Sequence, residues 1–169
     1  QSGIAAAAAG DEVWNASTGG SIQSSPTVVD GTVYVGSNDN SLYAFDSQTG
    51  ALQWSASTGG SVQSAPTVAN GTVYAASFDG NLYAFDAETG AQQWSKSIGA
   101  SSGSSPTISN GTVYVGSSDT NGNLYAFDAE TGAQQWTAAT GSLIVSSPTV
   151  VNGSVIVGDN SGAVNSFDA

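Results

Sequence analysis

"FDAETGAQQW" occupies residues 85–94 and returns unchanged at 127–136, with the close variant "FDSQTGALQW" at 45–54. A ten-residue phrase that ends on Trp and recurs this faithfully marks a chain built from copies of one unit. Two partial copies flank the complete ones: Gly10-Asp11-Glu12-Val13-Trp14 closes the phrase, and Ser166-Phe167-Asp168-Ala169 opens it. Counted on Trp14, Trp54, Trp94 and Trp136 the period is 40, 40 and 42 residues, and Pro26, Pro66, Pro106 and Pro148 keep the same intervals. A period in the range of about 20–50 residues belongs to repeat architectures, in which one supersecondary unit buries its faces against its neighbours.

Each unit contains four short segments separated by turn signals. After the Pro-Thr segment comes Asp30-Gly31, with Asn70-Gly71, Asn110-Gly111 and Asn152-Gly153 as its counterparts. Such pairs are hairpin signals because both central residues of a type I′ turn need positive φ. Next come "TVYVGS" or a relative, a polar loop, "NLYAFD" or a relative, the Asp-x-x-Thr-Gly turn, and the Trp segment. The spacing predicts a four-stranded antiparallel meander per unit. The strands are apolar on both faces, Val33 and Val35 alternating with Tyr34, so each sheet is expected to be sandwiched between neighbours like a propeller blade. From each Trp to the next Pro there are always twelve residues, which predicts a uniform step between blades. The two extra residues of the third unit fall in "SSDTNGN", a hairpin loop, where insertion costs little.

The phrase "AFDxxTGxxxW", complete at 44–54, 84–94 and 126–136, resembles the tryptophan-docking motif of the pyrroloquinoline-quinone (PQQ) type β-propeller repeat, a family that includes quinoprotein alcohol dehydrogenases and outer-membrane assembly propellers. The resemblance covers residues 10–169 and implies an all-β propeller of four-stranded antiparallel blades, four per chain, with Trp14, Trp54, Trp94 and Trp136 docked between blades. It implies none of the family's catalysis. Dehydrogenases of this type use a cysteine pair, an acidic calcium site, basic residues near the quinone and an Asp base, whereas this chain has no Cys, no His and a single base, Lys96. Asp46, Asp86, Asp128 and Asp168 recur at equivalent turns, where accepting backbone N–H bonds explains them. No cofactor is expected.

Composition narrows the field further. The chain of 169 residues reads as one propeller domain, residues 10–169, behind an Ala-rich arm at 1–9. Charged residues make up 8%, against a usual quarter, and the net charge is −12. Nucleic acid is not an expected partner, because phosphate contacts need bases. An acidic, mostly neutral-polar surface suits solubility, and it also suits a salt-loving source, where counterions screen the excess acid. No apolar run is long enough to insert into a membrane, and the first nine residues lack the basic start and apolar middle of a signal peptide, so Gln1 reads as a mature terminus of a secreted or cell-surface protein. Without His a Ser-His-Asp device is ruled out, and the recurring carboxylate pairs belong to turns rather than to glycosidase chemistry.

Two weaker site readings remain. Asp39, Asp119 and Asp159 lie in oxygen-rich loops and are the candidate metal ligands, though the loops lack the multi-carboxylate spacing and closing Glu of a calcium site. Asn15, Asn70, Asn110 and Asn152 each open an Asn-x-Ser/Thr glycosylation sequon, and the last three coincide with the tight turns.

The partial phrases carry the functional expectation. Val13, Trp14 and Asn15 read as an outer strand, while the unit ending at Phe167 and Asp168 reads as three strands awaiting a fourth. An unpaired edge exposes backbone groups, so the two are expected to meet, either within one chain or between chains as a ring dimer or a filament. The last unit is atypical, with Ile156 where Tyr114 stands and Asn165-Ser166 where Tyr125-Ala126 stand, as expected at a different neighbour. The leading expectation is a non-enzymatic extracellular scaffold whose partner is itself. The alternative is a propeller that binds a sugar, peptide or protein through its loops or funnel.

Overall fold

The computed structural model describes residues 9–100 and 103–169; residues 1–8, most of the Ala-rich arm, lie outside that range. Among the described residues all regular structure is β. The first sheet runs β1 (Thr27–Val29), β2 (Thr32–Ser37), β3 (Ser41–Asp46) and β4 (Leu52–Ser57). The second runs β5 (Thr67–Ala69), β6 (Thr72–Ala76), β7 (Asn81–Asp86) and β8 (Gln92–Ser97). The third runs β9 (Thr107–Ser109), β10 (Thr112–Gly116), β11 (Asn123–Asp128) and β12 (Gln134–Ala139), and the last holds β13 (Thr149–Val151), β14 (Ser154–Gly158) and β15 (Val164–Asp168). Each sheet is an antiparallel meander in chain order.

Local chemistry sets the meander. Asp30, Asn70, Asn110 and Asn152 have φ of 48–50° and the following glycines 74–78°, the type I′ turn that joins each inner strand to its neighbour. Further out, Tyr34 lies opposite Ala44 and Ala44 opposite Trp54, after which the register slips by one residue between Ala44 and Phe45. The same bulge recurs at Ala84/Phe85 and Ala126/Phe127. It leaves Gln53, Gln93 and Gln135 as the extra residue, and each accepts a hydrogen bond from a Thr hydroxyl of the second strand, Thr32, Thr72 or Thr112, at 3.0–3.1 Å.

The core lies between sheets. Tyr34, Ala44 and Trp54 of the first blade pack on Val62, Val73, Tyr83 and Phe85 of the second. Tyr74, Ala84 and Trp94 pack on Val113, Val115 and Phe127 of the third, and Tyr114, Leu124 and Ala126 pack on Ile144, Val155 and Val157 of the last. Inner strands touch in the same succession, β1 on β5, β5 on β9 and β9 on β13.

The last sheet is the exception. It has three strands, residues 11–18 form no strand, and the sheets do not close on one another, so completion within a single chain is not what this structure shows. Closure in one chain requires four blades to turn through a full circle, about 90° each.

Candidate assembly surface and inter-blade grooves

The joints reuse a small set of parts. Trp14 Nε1 donates to Ser47 O at 2.9 Å, Trp54 Nε1 to Ala87 O at 3.0 Å and Trp94 Nε1 to Ala129 O at 3.2 Å, each reaching the Asp-x-x-Thr-Gly turn of the following blade. The indole lies flat over the glycine of that turn: a Cβ on Gly50, Gly90 or Gly132 would fall 2.6–2.7 Å from ring atoms. The turn itself is held by its Asp. Asp86 Oδ1 accepts from Thr89 N and Thr89 Oγ1, both at 2.8 Å, and Asp46 and Asp128 repeat the arrangement. Those bonds, the Thr hydroxyl first, hold the three carboxyls below the ordinary Asp range.

A second tie runs along the inner strands. Thr27 Oγ1 donates to Pro66 O at 2.6 Å, Thr67 Oγ1 to Pro106 O at 2.5 Å and Thr107 Oγ1 to Pro148 O at 2.6 Å. The third tie is a carboxylate clamp. Gly19 N donates to Asp39 Oδ2 at 2.6 Å and Gly59 N to Asp79 Oδ2 at 2.9 Å, with Tyr43 and Tyr83 hydroxyls on the same oxygens at 2.6 Å. Sequence reasoning missed both ties, although the invariant Pro-Thr pair at each repeat was a visible signal.

At the two ends of the stack the same faces are bare. Leu42, Leu82 and Leu124 are fully buried, while Val164, their counterpart on β15, is 78% exposed. Val62 and Ile144 are fully buried, while Ile22, their counterpart ahead of β1, is 48% exposed. Val28 on the first side and Val151 on the last side are exposed too. One surface therefore has the shape of the front of a blade interface and the other the shape of its back.

The residues expected to meet there are placed apart. Trp14 is docked on the first blade, Val13 and Asn15 beside it are exposed, and Asp168 pairs with Ser154 on β14. Phe167 packs against Trp136 at a ring separation of 6.4 Å. No strand pairing joins residues 11–18 to β15 among the described residues.

The candidate metal ligands sit on three different blades. Asp39 is engaged by Gly19 and Tyr43, Asp119 accepts from Asn123 Nδ2 at 2.7 Å, and Asp159 accepts from Ser161 and Asn165. Asp39 and Asp119 each keep one buried oxygen without a hydrogen-bond partner, but no group of three metal-ligating side chains exists among the described residues. The residues present do not fit a quinone and its calcium either: the recurring Asp side chains are spent inside separate turns. Of the sequons, Asn70, Asn110 and Asn152 are the left-handed first residues of hairpin turns, whereas Asn15 is exposed outside any strand.

Polar grooves run between neighbouring blades on the turn side. One, of about 450 Å³, is lined by Asp30, Thr32, Tyr34, Gln53, Ala87 and Glu88. Its counterpart one blade on, about 630 Å³, is lined by Asn70, Thr72, Gln93 and Glu130 among others. No helix among the described residues is long and apolar enough to cross a membrane.

Repeated meanders, indoles docked on the next blade's turn and a core shared between sheets define the class: a β-propeller of PQQ-type repeats. The family model described as outer membrane protein assembly factor BamB matches residues 2–119 and 78–169, and the chain belongs to that family. No curated protein matches it. Among solved structures it is similar to BamB from Moraxella catarrhalis, at 24% identity and a TM-score of 0.79, over 92% of this chain and 49% of that one. The chain thus spans about half the length of that relative. It is also similar to the computationally designed Ika4 protein, at 18% identity and a TM-score of 0.82, over 94% of this chain and 98% of that one. A quinohemoprotein alcohol dehydrogenase from Pseudomonas putida shares 23% identity at a TM-score of 0.72, over 82% of this chain and 28% of that one. Dehydrogenases, an assembly factor and a designed protein share this fold, so the fold by itself does not assign an activity.

Proposed function

We propose that this chain is a non-enzymatic, extracytoplasmic propeller scaffold that associates head to tail with copies of itself. The last blade of one copy packs on the first blade of the next and receives its Trp14 segment as a fourth strand. The observation that carries the reading is the pair of bare faces. Val164 and Val151 stand on one side and Ile22 and Val28 on the other, at positions that face a neighbouring blade elsewhere in the stack.

The register fits. In complete blades Ala44, Ala84 and Ala126 lie opposite the Trp, so Ser166 is the partner for Trp14. The polar and inner ties extend in the same way, with Thr149 in line for Pro26 O of the next copy as Thr107 is for Pro148 O. Covering the four exposed aliphatic side chains contributes at most about 6–12 kcal/mol, at about 1.5–3 kcal/mol each. About five strand hydrogen bonds add roughly 0.5–1.5 kcal/mol each. An association cost of about 4–15 kcal/mol is of the same order, so the complex is expected to depend on concentration.

Support for the non-enzymatic part comes from the carboxylates, which are held in repeated turns and clamps rather than gathered in one cleft. Mass photometry or sedimentation across concentration tests the proposal. Multiples of the chain mass are expected at micromolar protein, and a strictly monomeric species at every concentration overturns it.

A further inference from the structure

We propose that Asn70, Asn110 and Asn152 are sites of self-modification, at which the following glycine displaces the side-chain amide and an acidic residue is left in its place. The chain has four Asn-Gly pairs, and the fold treats one of them differently from the other three. Asn70-Gly71, Asn110-Gly111 and Asn152-Gly153 are the exposed tips of two-residue hairpins, and a Cβ on Gly71, Gly111 or Gly153 would have nothing within 4 Å. The strand pairing that closes each tip joins the flanking residues, Ala69 with Thr72, Ser109 with Thr112 and Val151 with Ser154, so it makes no use of the glycine nitrogen. Asn121-Gly122 lies instead in the longer loop of the third blade. There Gly122 N donates to Asp119 O at 3.0 Å and Asn121 O accepts from Gly141 N at 2.8 Å, while a Cβ on Gly122 would collide with Ser142 O.

The reaction needs only the chain and water. The Gly71 nitrogen loses its proton to solvent base and bonds to Cγ of Asn70; the Cγ–Nδ2 bond breaks, ammonia leaves and a cyclic imide remains. Water then opens the imide at either carbonyl, giving an ordinary Asp or an isoaspartate whose main chain runs through the side-chain carbon. A following glycine crowds this attack least, because it has no Cβ. The turn sets the pace. In a type I′ turn the first residue has ψ of about 30°, which swings the glycine nitrogen away from the side chain, so attack waits until the tip opens. An exposed tip opens more readily than a loop bonded to Asp119 and Gly141 and packed on Ser142. The first blade already carries the ordinary product: Asp30 holds the same turn position with φ of 48°, against 49–50° for the three asparagines. Asp at residue 70 therefore keeps the turn, and it gives the larger groove, which Glu130 also lines, the acid pair that Asp30 and Glu88 give the smaller one. Isoaspartate lengthens the main chain of a two-residue turn, so it displaces the Ala69–Thr72 pair and the bond from Ala87 N to Gly71 O.

Incubation of the full chain at mildly alkaline pH, followed by peptide mapping with mass spectrometry, tests the assignment. Each event replaces an amide NH2 by OH and adds one negative charge to the net charge of −12, so anion exchange separates the products before digestion. In the folded protein Asn70, Asn110 and Asn152 are expected to convert at least about tenfold faster than Asn121, with isoaspartate among the products. In urea all four pairs are expected to convert, and the three tips faster than they do when folded. Equal rates at all four sites in the folded protein overturn the assignment, as do tips that stay intact when folded and convert only in urea. An Asn70→Asp variant is expected to elute with the singly converted parent and to keep its thermal midpoint; a lowered midpoint overturns the reading that the turn accepts the acid.

Discussion

The indole of Trp54 donates to Ala87 O at 3.0 Å while its ring covers Gly90, so one side chain joins the outer strand of one blade to the turn of the next by a polar and an apolar contact at once. The same pair of contacts recurs from Trp94 to Ala129 and Gly132. Blade spacing is therefore set by a side chain that tolerates little displacement, because the N–H bond and the ring contact must be satisfied together.

A methyl group placed in that contact tests it. Gly90 has φ of 72° and its Cβ would lie 2.7 Å from the Trp54 ring, whereas Gly71 has φ of 74° and nothing within 4 Å. Gly71→Ala is expected to cost only the left-handed backbone penalty, about 1–2 kcal/mol. Gly90→Ala adds overpacking and is expected to cost roughly 1–3 kcal/mol more. Urea unfolding of the two variants checks the difference, and equal midpoints would show that the ring contact is slack.

Ser64 is buried and its hydroxyl both accepts from Ala76 N at 3.0 Å and donates to Ala76 O at 2.9 Å. It satisfies a backbone stretch that β5 is too short to reach. Ser64→Ala leaves both groups unpaired in the interior, at about 1–3 kcal/mol each. Ser55→Ala on the exposed outer strand is expected to stay within about 0.5 kcal/mol of the parent, and thermal melts separate the two.

Val164→Asp separates folding from association. The side chain is 78% exposed in the single chain, so the variant is expected to unfold within about 0.5 kcal/mol of the parent at low protein concentration. In the assembled state it places a carboxylate in an apolar joint. Sedimentation is expected to show monomers where the parent is larger, and an unchanged oligomer would remove this edge from the interface.

Acid is expected to loosen the clamps. Burial pushes the Asp79 carboxyl up, but hydrogen bonds, from Tyr83 first and then Asn81 and Ser77, outweigh it and hold it below the ordinary value. A carboxyl lowered on folding contributes stability that is complete above its unfolded pKa of about 4 and is lost as pH falls through that value toward the lower folded one. Measured in high salt, which screens the repulsion of the net charge of −12, stability is expected to fall below pH about 4, and Asp79→Asn to flatten that fall. The tyrosine side mirrors it. Burial first, then the Asp79 bond, raises Tyr83, so its contribution is complete below the ordinary tyrosine pKa and is lost as pH rises through the raised one.

Much of this architecture was legible because its causes are local. Positive φ at Asn70 and Gly71 and the Asp86-Thr89 turn bonds arise within a few residues, and a phrase repeated along the chain repeats them. The docking role of the Trp residues was legible only through the resemblance of the repeated phrase to the PQQ-type motif. The Thr-to-Pro ties and the Gly19–Asp39 clamp link residues 39 and 20 positions apart, and nothing near Thr27 or Gly19 shows which carbonyl or carboxylate each will meet.

The order of strands within each unit, the hairpin chemistry and the repetition of the unit were determined by the amino-acid sequence alone, since each depends on residue type and short-range geometry. Which face of Val164 or Ile22 stays bare, and that residues 11–18 reach the first blade through Trp14 without pairing with β15, were decided only in three dimensions. The physical reason is accumulation: the turn between two blades comes from the packing of side chains such as Tyr34, Trp54 and Phe85, and whether a ring closes depends on the sum of those turns.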